Sequence, residues 1–300
     1  MEITVRQLEY FLALAELENF GRAAEACFVT QPALSAQVAQ LEKTLGVQLV
    51  ERGRKATLTP AGQAVADRAR QILADVRALR DGAASFKSPL VGRIQLGVIS
   101  SIAPYLIPRI LPWLNDHYPR LELALHEGGA RELASALHAG ELDLALVALG
   151  GDGGLVEEFE IAEDRYVLLA PEAHALAKKK HLAQADLIGH RVLLLAEGQG
   201  LDETVVEAIR QETGAEAGDF RAASLTTLVA MVRSGVGVTL IPELAVESDL
   251  LPESGLALAR FEPPEPKRRL GLLWRRGATR AKDYRLLGQI LKRYLDRSGR

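Results

Sequence analysis

From Asn19 to Gly46 the chain reads NFGRAAEACFVTQPALSAQVAQLEKTLG, two helical patterns with almost nothing between them. Asn19 can cap the first, and Ala23, Ala24 and Cys27 give it a narrow apolar face that another helix can approach closely. Phe28 and Val29 make a short turn. Thr30 offers a hydroxyl to cap the second helix, and Pro32 is tolerated in its first turn, where the amide has no intrahelical partner. Leu34, Val38, Leu41 and Leu45 then recur at spacings of 4, 3 and 4 before Gly46 ends the helix. Upstream, Leu8, Phe11, Leu12 and Ala15 mark a further amphipathic helix. The expectation is a helix-turn-helix.

With that stripe turned inward, Pro32, Ala36, Ala39 and Lys43 face outward, flanked by Ser35 and Gln40. The outer face is small and neutral near the helix start, which suits a major groove about 12 Å wide. Thr30, Gln31 and Ser35 can reach base edges, beside Pro32 and Ala36, while Arg22 and Lys43 are better placed for phosphates. The plainer alternative is a solvated face on a small helical bundle. The segment after Gly46 favours DNA. VQLVERGRKATLTPAGQ alternates like a short hairpin and gathers Arg52, Arg54 and Lys55 at its tip, a basic wing. Thr59 caps and Pro60 opens a helix running to about Ala83. Its apolar positions Val65, Ala69, Ile72, Val76, Leu79 and Ala83 form a heptad seam for a two-stranded coiled coil. Two-fold pairing of such helices sets two recognition helices about one DNA turn, or a multiple of it, apart.

As a run, residues 3 to 83 resemble the N-terminal domain of LysR-type transcriptional regulators, and the OxyR subgroup in particular. The resemblance implies double-stranded promoter DNA as partner, homodimers that pair into tetramers, and RNA polymerase as a further contact.

A chain of 300 residues, 48 % apolar and 25 % charged, has material for two or three domains. Its net charge of −3 does not advertise nucleic-acid binding, but phosphate attraction is local and an average hides a basic patch. A single cysteine cannot close an intramolecular disulfide or supply a cysteine metal site. MEITVRQLEYFLALAELENF lacks a basic start and a small-residue cleavage site, and no window approaches ~18 uninterrupted apolar residues. A soluble, cytoplasmic protein without a membrane partner is expected.

SFKSPLVGR has the composition of a hinge. Beyond it, apolar strands such as RIQLGVIS, LDLALVAL and VGVTLI alternate with helices, which predicts parallel sheets covered on both faces. The class is α/β overall: a winged helix-turn-helix, a long linker helix, then a regulatory domain. The resemblance implies that this last part is a two-lobed substrate-binding domain like the periplasmic binding proteins. The boundaries expected are residues 1–59 for DNA binding, 60–87 for the dimerising linker and 88–300 for effector binding. Lobe I would span about 92–163 and 267–300, lobe II about 164–266.

Such folds bind small molecules in the interlobe crevice, at the carboxyl ends of strands. By resemblance the cleft positions are Ser100, Ser101, Gly128 to Ala130, Gln199, Gly200, Leu201, Ser224 and Thr226. Hydroxyls and amides at helix starts favour an anion or carboxylate, although each residue taken singly can equally be read as a helix cap.

The sequence departs from the OxyR pattern in its chemistry. The resemblance places a peroxide-reactive cysteine where Gly200 stands, a histidine at Gln199 and a resolving cysteine at Ile209. Ser101 keeps a hydroxyl where threonine is usual, and Ala130 has lost one. Glycine carries no nucleophile. Three readings of the signal stay open: non-covalent binding of a metabolite or anion, an oxidant response through Cys27 or by an indirect route, and constitutive regulation. Ala23, Ala24, Phe28 and Leu34 around Cys27 look like core, which favours packing over reactivity.

Enzyme classes find little support. GQGLDE and GVGVTL lack the third glycine of a dinucleotide site, and there is no G-x-S-x-G elbow or phosphate-cradling G-x-x-x-x-G-K-[ST]. His117, His126, His138, His174, His181 and His190 form no metal-ligand motif. No catalytic residue, metal or cofactor is expected. A ligand-binding carrier would leave the helix-turn-helix unexplained.

Overall fold

A computed structural model describes residues 2–53, 55–85, 89–150, 156–179, 181–195, 221–222, 224–248 and 255–298. The chain divides into two compact units, Met1–Ala83 with His138–Glu141, and Ala84–Leu137 with Leu142–Arg300.

The first unit contains α1 (Val5–Leu17), α2 (Phe20–Ala26), α3 (Gln31–Leu45), β1 (Val50–Arg52), β2 (Ala56–Leu58) and α4 (Pro60–Ser85). Thr4 and Gln7 form a reciprocal capping box on α1. Asn19 Oδ1 accepts the Arg22 amide at 3.0 Å to start α2, and Thr59 Oγ1 accepts the Gly62 amide at 2.9 Å to start α4. Thr30 is the N-cap of α3 but makes no side-chain cap bond, which corrects the sequence expectation. Pro32 at the second helical position removes one of the two amides such a cap can accept, leaving only that of Ala33. Gly46 ends α3 in the left-handed region, with φ of 72°.

Leu8, Phe11, Leu14, Leu34, Val38 and Leu41 are buried together, and Ala66 and Ala69 of α4 close the same core. The hairpin packs on α4 through Gly62. A Cβ on Gly62 would fall 2.0 Å from the Leu49 carbonyl oxygen, so only glycine allows this approach. The Glu42 carboxylate also holds the hairpin, accepting the Leu49 and Val50 amides at 2.9 and 3.1 Å.

In the second unit the strands are β3 (Gly92–Ile99), β4 (Leu121–Gly128), β5 (Leu144–Leu149), β6 (Val156–Pro171), β7 (Val192–Leu195), β8 (Arg221–Ala222), β9 (Val238–Pro242), β10 (Leu256–Arg260) and β11 (Lys267–Arg275). Among the described residues the α-helices are α5 (Ala103–His117), α6 (Ala130–Ala139), α7 (Leu225–Arg233), α8 (Glu243–Val246) and α9 (Ala281–Ser298). Among the described residues the strands run β4-β3-β5-β11-β6-β9-β7-β8, with β10 beside β6.

The expectation of parallel sheets is corrected to a mixed sheet. β3 is parallel to β4 and β5, and β7 to β8 and β9, but β11 and β6 run antiparallel to their neighbours. These two strands do not return by a helical crossover. β6 pairs with β11 from Val156 to Arg165, then with β9 from Tyr166 onward, so one strand serves both lobes. At the start of α9, Arg280 donates to the Arg93 and Val91 carbonyls at 2.9 and 2.8 Å, and Asp283 accepts the Leu90 amide at 3.3 Å. The C-terminal helix thereby clamps the segment leading into β3. Among the described residues no helix is long and apolar enough to cross a membrane.

Candidate nucleic-acid interface and effector cleft

The first turn of α3 presents Thr30, Gln31 and Pro32 to solvent, with Ala36 exposed one turn on, Ser35 half-buried and Lys43 exposed near the far end. Arg22 is exposed in the first turn of α2. Lys55 stands on the hairpin, where its ammonium lies 2.8 Å from Glu18. That hydrogen bond and the Glu18 charge raise the Lys55 pKa above the usual lysine range. Arg52 lies opposite Ala56 across the hairpin, and Arg54 falls outside the described residues.

Glu18 and Glu42 are positioning residues that sequence reasoning missed. For Glu42 a signal exists. An acid in the last turn of a helix opposes the helix dipole and needs a reason to be there; here the reason is a pair of hairpin amides.

Cys27 forms the C-cap of α2, half-buried against the same core. Burial, and then the Glu9 charge, raise its thiol pKa above the ordinary value. Reactive cysteines are found in electropositive surroundings that favour the thiolate, and this one is not. Phe28, expected in the core, is instead 95 % exposed.

The seam on α4 splits in two. Val65 and Ala69 face the unit's own core, Ala69 being 1 % exposed, which corrects their assignment to the pairing surface. Ile72 and Leu79 are 39 and 66 % exposed, with Val76 half-buried between them.

In the second unit, the register places Ile99 opposite Gly128 and Leu195 opposite Ala222. Ser100 therefore leaves the sheet beside Gly128, and Ser224 comes after β8 at the end where β7 also finishes. Gln199, Gly200 and Leu201 lie outside the described residues. Ser224 caps α7, accepting the Thr227 amide at 3.2 Å, and Thr226 is exposed. Ala130 opens α6, where the Glu132 carboxylate accepts the Gly129 amide at 3.4 Å. A negative charge therefore already occupies that helix start.

Ser101 is corrected from cleft wall to interior. It is 2 % exposed, and Arg268 Nη1 donates to its hydroxyl at 2.6 Å. Arg268, at the start of β11, is 1 % exposed and also donates to Asp164 through Nε and Nη2 at 3.0 and 2.8 Å. Asp164 in turn accepts the Leu244 amide of α8 at 3.1 Å. This knot joins the end of β3, both crossing strands and α8.

A helix-turn-helix unit joined to a two-lobed α/β unit defines a DNA-binding transcriptional regulator that carries its own sensory domain. Residues 5–63 match the bacterial regulatory helix-turn-helix proteins of the lysR family, and residues 87–296 match the LysR substrate binding domain. The chain belongs to the LysR family of transcriptional regulators, proteins that bind promoter DNA and oligomerise. It is 36 % identical over 295 residues to the DNA-binding transcriptional dual regulator OxyR of Escherichia coli (strain K12), covering 98 % of this chain and 96 % of that protein. Its identity is 40 % over 293 residues to a Streptomyces viridosporus protein named "Probable hydrogen peroxide-inducible genes activator", covering 96 and 93 %. Among solved structures, a full-length cysteine-to-aspartate variant of OxyR from Pseudomonas aeruginosa superposes with a TM-score of 0.79 at 30 % identity, covering 97 % of this chain and 98 % of that one.

Proposed function

We propose that this LysR-type regulator is controlled by a small molecule or anion held non-covalently between the lobes of its regulatory domain. The observation that carries this is the position of its one cysteine, Cys27, which leaves residues 84–300 without a thiol. Relatives are named for induction by hydrogen peroxide, and thiolate chemistry needs a cysteine in reach of the signal. Gly200 stands where the resemblance places that cysteine. Residues 1–59 bind DNA, 60–87 pair two chains, and 88–300 sense. Dimers pair into a tetramer on promoter DNA, in the cytoplasm, and ligand binding shifts the balance between two spacings of the DNA-binding pairs. RNA polymerase is the downstream partner.

Thermal shift of the full chain against a panel of anions and metabolites tests the reading. A ligand that raises the melting temperature and also changes the DNA footprint is expected. Indifference to every compound would leave a constitutive regulator.

Two further outcomes are expected. The Cys27→Ser variant should give the wild-type footprint with and without hydrogen peroxide. A peroxide response present in wild type and lost in Cys27→Ser would return the signal to the thiol. Replacing Arg52 and Arg54 by alanine should weaken binding to all DNA sequences about equally, and flatten the salt dependence by about 0.9 log unit per lost phosphate contact. A changed base preference with the slope intact would refute the wing assignment.

A further inference from the structure

Phe28 sits in the turn between α2 and α3, at a φ of 57°. Its amide donates to the Glu25 carbonyl at 3.0 Å, and the Val29 amide donates to the Ala24 carbonyl at 2.9 Å. This is the paired closure that ends a helix through one left-handed residue, a place normally taken by glycine or asparagine. The turn needs that backbone conformation, because it lets Val29 pack on the core and starts α3 two residues later. It does not need a phenyl ring there. A bulky side chain is disfavoured at positive φ, and a ring 95 % exposed gains nothing from the fold. Both penalties fall on one residue, and among the exposed large hydrophobic side chains of the described residues that combination singles Phe28 out.

Its place in the fold indicates what the ring can meet. Phe28 is two residues from Thr30, whose hydroxyl makes no cap bond, and it adjoins the exposed start of α3 at Gln31 and Pro32. When that helix end enters a major groove, the groove edge beside it offers apolar deoxyribose carbons and thymine methyl groups. We propose that Phe28 is a DNA-contact residue, its ring laid on a deoxyribose and thymine methyl flanking the bases read from Thr30 and Gln31. This rests on α3 being the helix that enters the groove.

The contact is neutral, which separates it from the basic wing. Losing it lowers affinity without releasing counterions, so the salt slope stays unchanged.

The test uses the full-length chain and a duplex selected from random sequence by the wild type. Phe28→Gly and Phe28→Asn should melt at or above the wild-type temperature, because the strain is relieved. Both should bind the duplex about tenfold more weakly per half-site, what covering part of a phenyl ring is worth, with the salt slope unchanged. Uracil for thymine at the flanking position should weaken wild type and leave Phe28→Gly unaffected; a loss insensitive to uracil assigns the contact to deoxyribose alone, within the proposal. Wild-type affinity in Phe28→Gly, or weakened binding together with a lowered melting temperature, overturns it. So does a loss of transcription at unchanged DNA affinity, which would assign the ring to the polymerase. Gln31→Ala is the control: if it loses affinity while Phe28→Gly does not, this proposal alone fails, and if neither does, α3 is not the reading helix.

Discussion

Asp164→Ala is expected to lower the melting temperature of the regulatory unit by roughly 6–20 °C, the equivalent of about 3–5 kcal/mol for breaking a buried ion pair in a domain of this size. The Arg268 side chain is wholly buried and Asp164 nearly so. Removing the carboxylate takes away the guanidinium's counter-charge, while its bonds to the Ser101 hydroxyl and carbonyl stay in place beside Tyr166. It also takes the acceptor from the Leu244 amide. A buried charge deprived of its counter-charge costs far more than the pair itself contributes. Asp164→Leu combined with Arg268→Met should therefore recover most of the loss, because it removes both charges together. Thermal denaturation monitored by near-ultraviolet circular dichroism, for both single variants and the double, gives the coupling between them. A single variant melting within about 2 °C of wild type would mean that the knot does not hold the junction of the lobes.

That knot is invisible in the sequence for a physical reason. Asp164 and Arg268 are 104 residues apart, Ser101 and Arg268 are 167 apart, and no local pattern links them. The α3 stripe is legible because a one-sided amphipathic helix writes its buried face into its own spacing. The wing is legible too, since Thr59-Pro60 marks a helix start whatever surrounds it. β6 is only half legible. Its second half, Tyr166 to Ala170, is uniformly buried, while its first half, VEEFEIAE, carries acids at exposed positions and does not read as apolar. Nor does periodicity say against what an apolar face will pack. Ala69 and Leu79 both belong to the heptad seam, yet one is buried in its own unit and the other is exposed. Thr30, Gln31, Pro32 and Ala36 lie on the exposed surface that the α3 spacing predicts, whereas Phe28 does not lie in the core that its aromatic character suggests. Only the left-handed turn brings it out.

The exposed half of the seam carries the other large expectation. Ile72→Glu with Leu79→Glu should abolish pairing through α4, leaving at most the assembly held by the contact that joins two dimers, and weaken binding to a duplex with two half-sites by about 10²–10⁴-fold. Both side chains are exposed in the single chain, so the substitutions remove no contact from its own core, and the melting temperature of the helix-turn-helix unit should hold. Two glutamates per chain, facing two more across a coiled coil, oppose pairing through repulsion and desolvation together. Affinity falls because a chain paired through α4 brings its partner's recognition helix to the second half-site as an intramolecular event, and a chain unpaired at α4 does not. The salt slope should fall with it, toward half, as one chain neutralises about half the phosphates of two. Analytical ultracentrifugation beside a binding titration on one-site and two-site duplexes separates the effects. Wild type should prefer the two-site duplex strongly, and the variant should bind both alike. A variant that remains dimeric and keeps the two-site preference would move the pairing surface elsewhere on the chain.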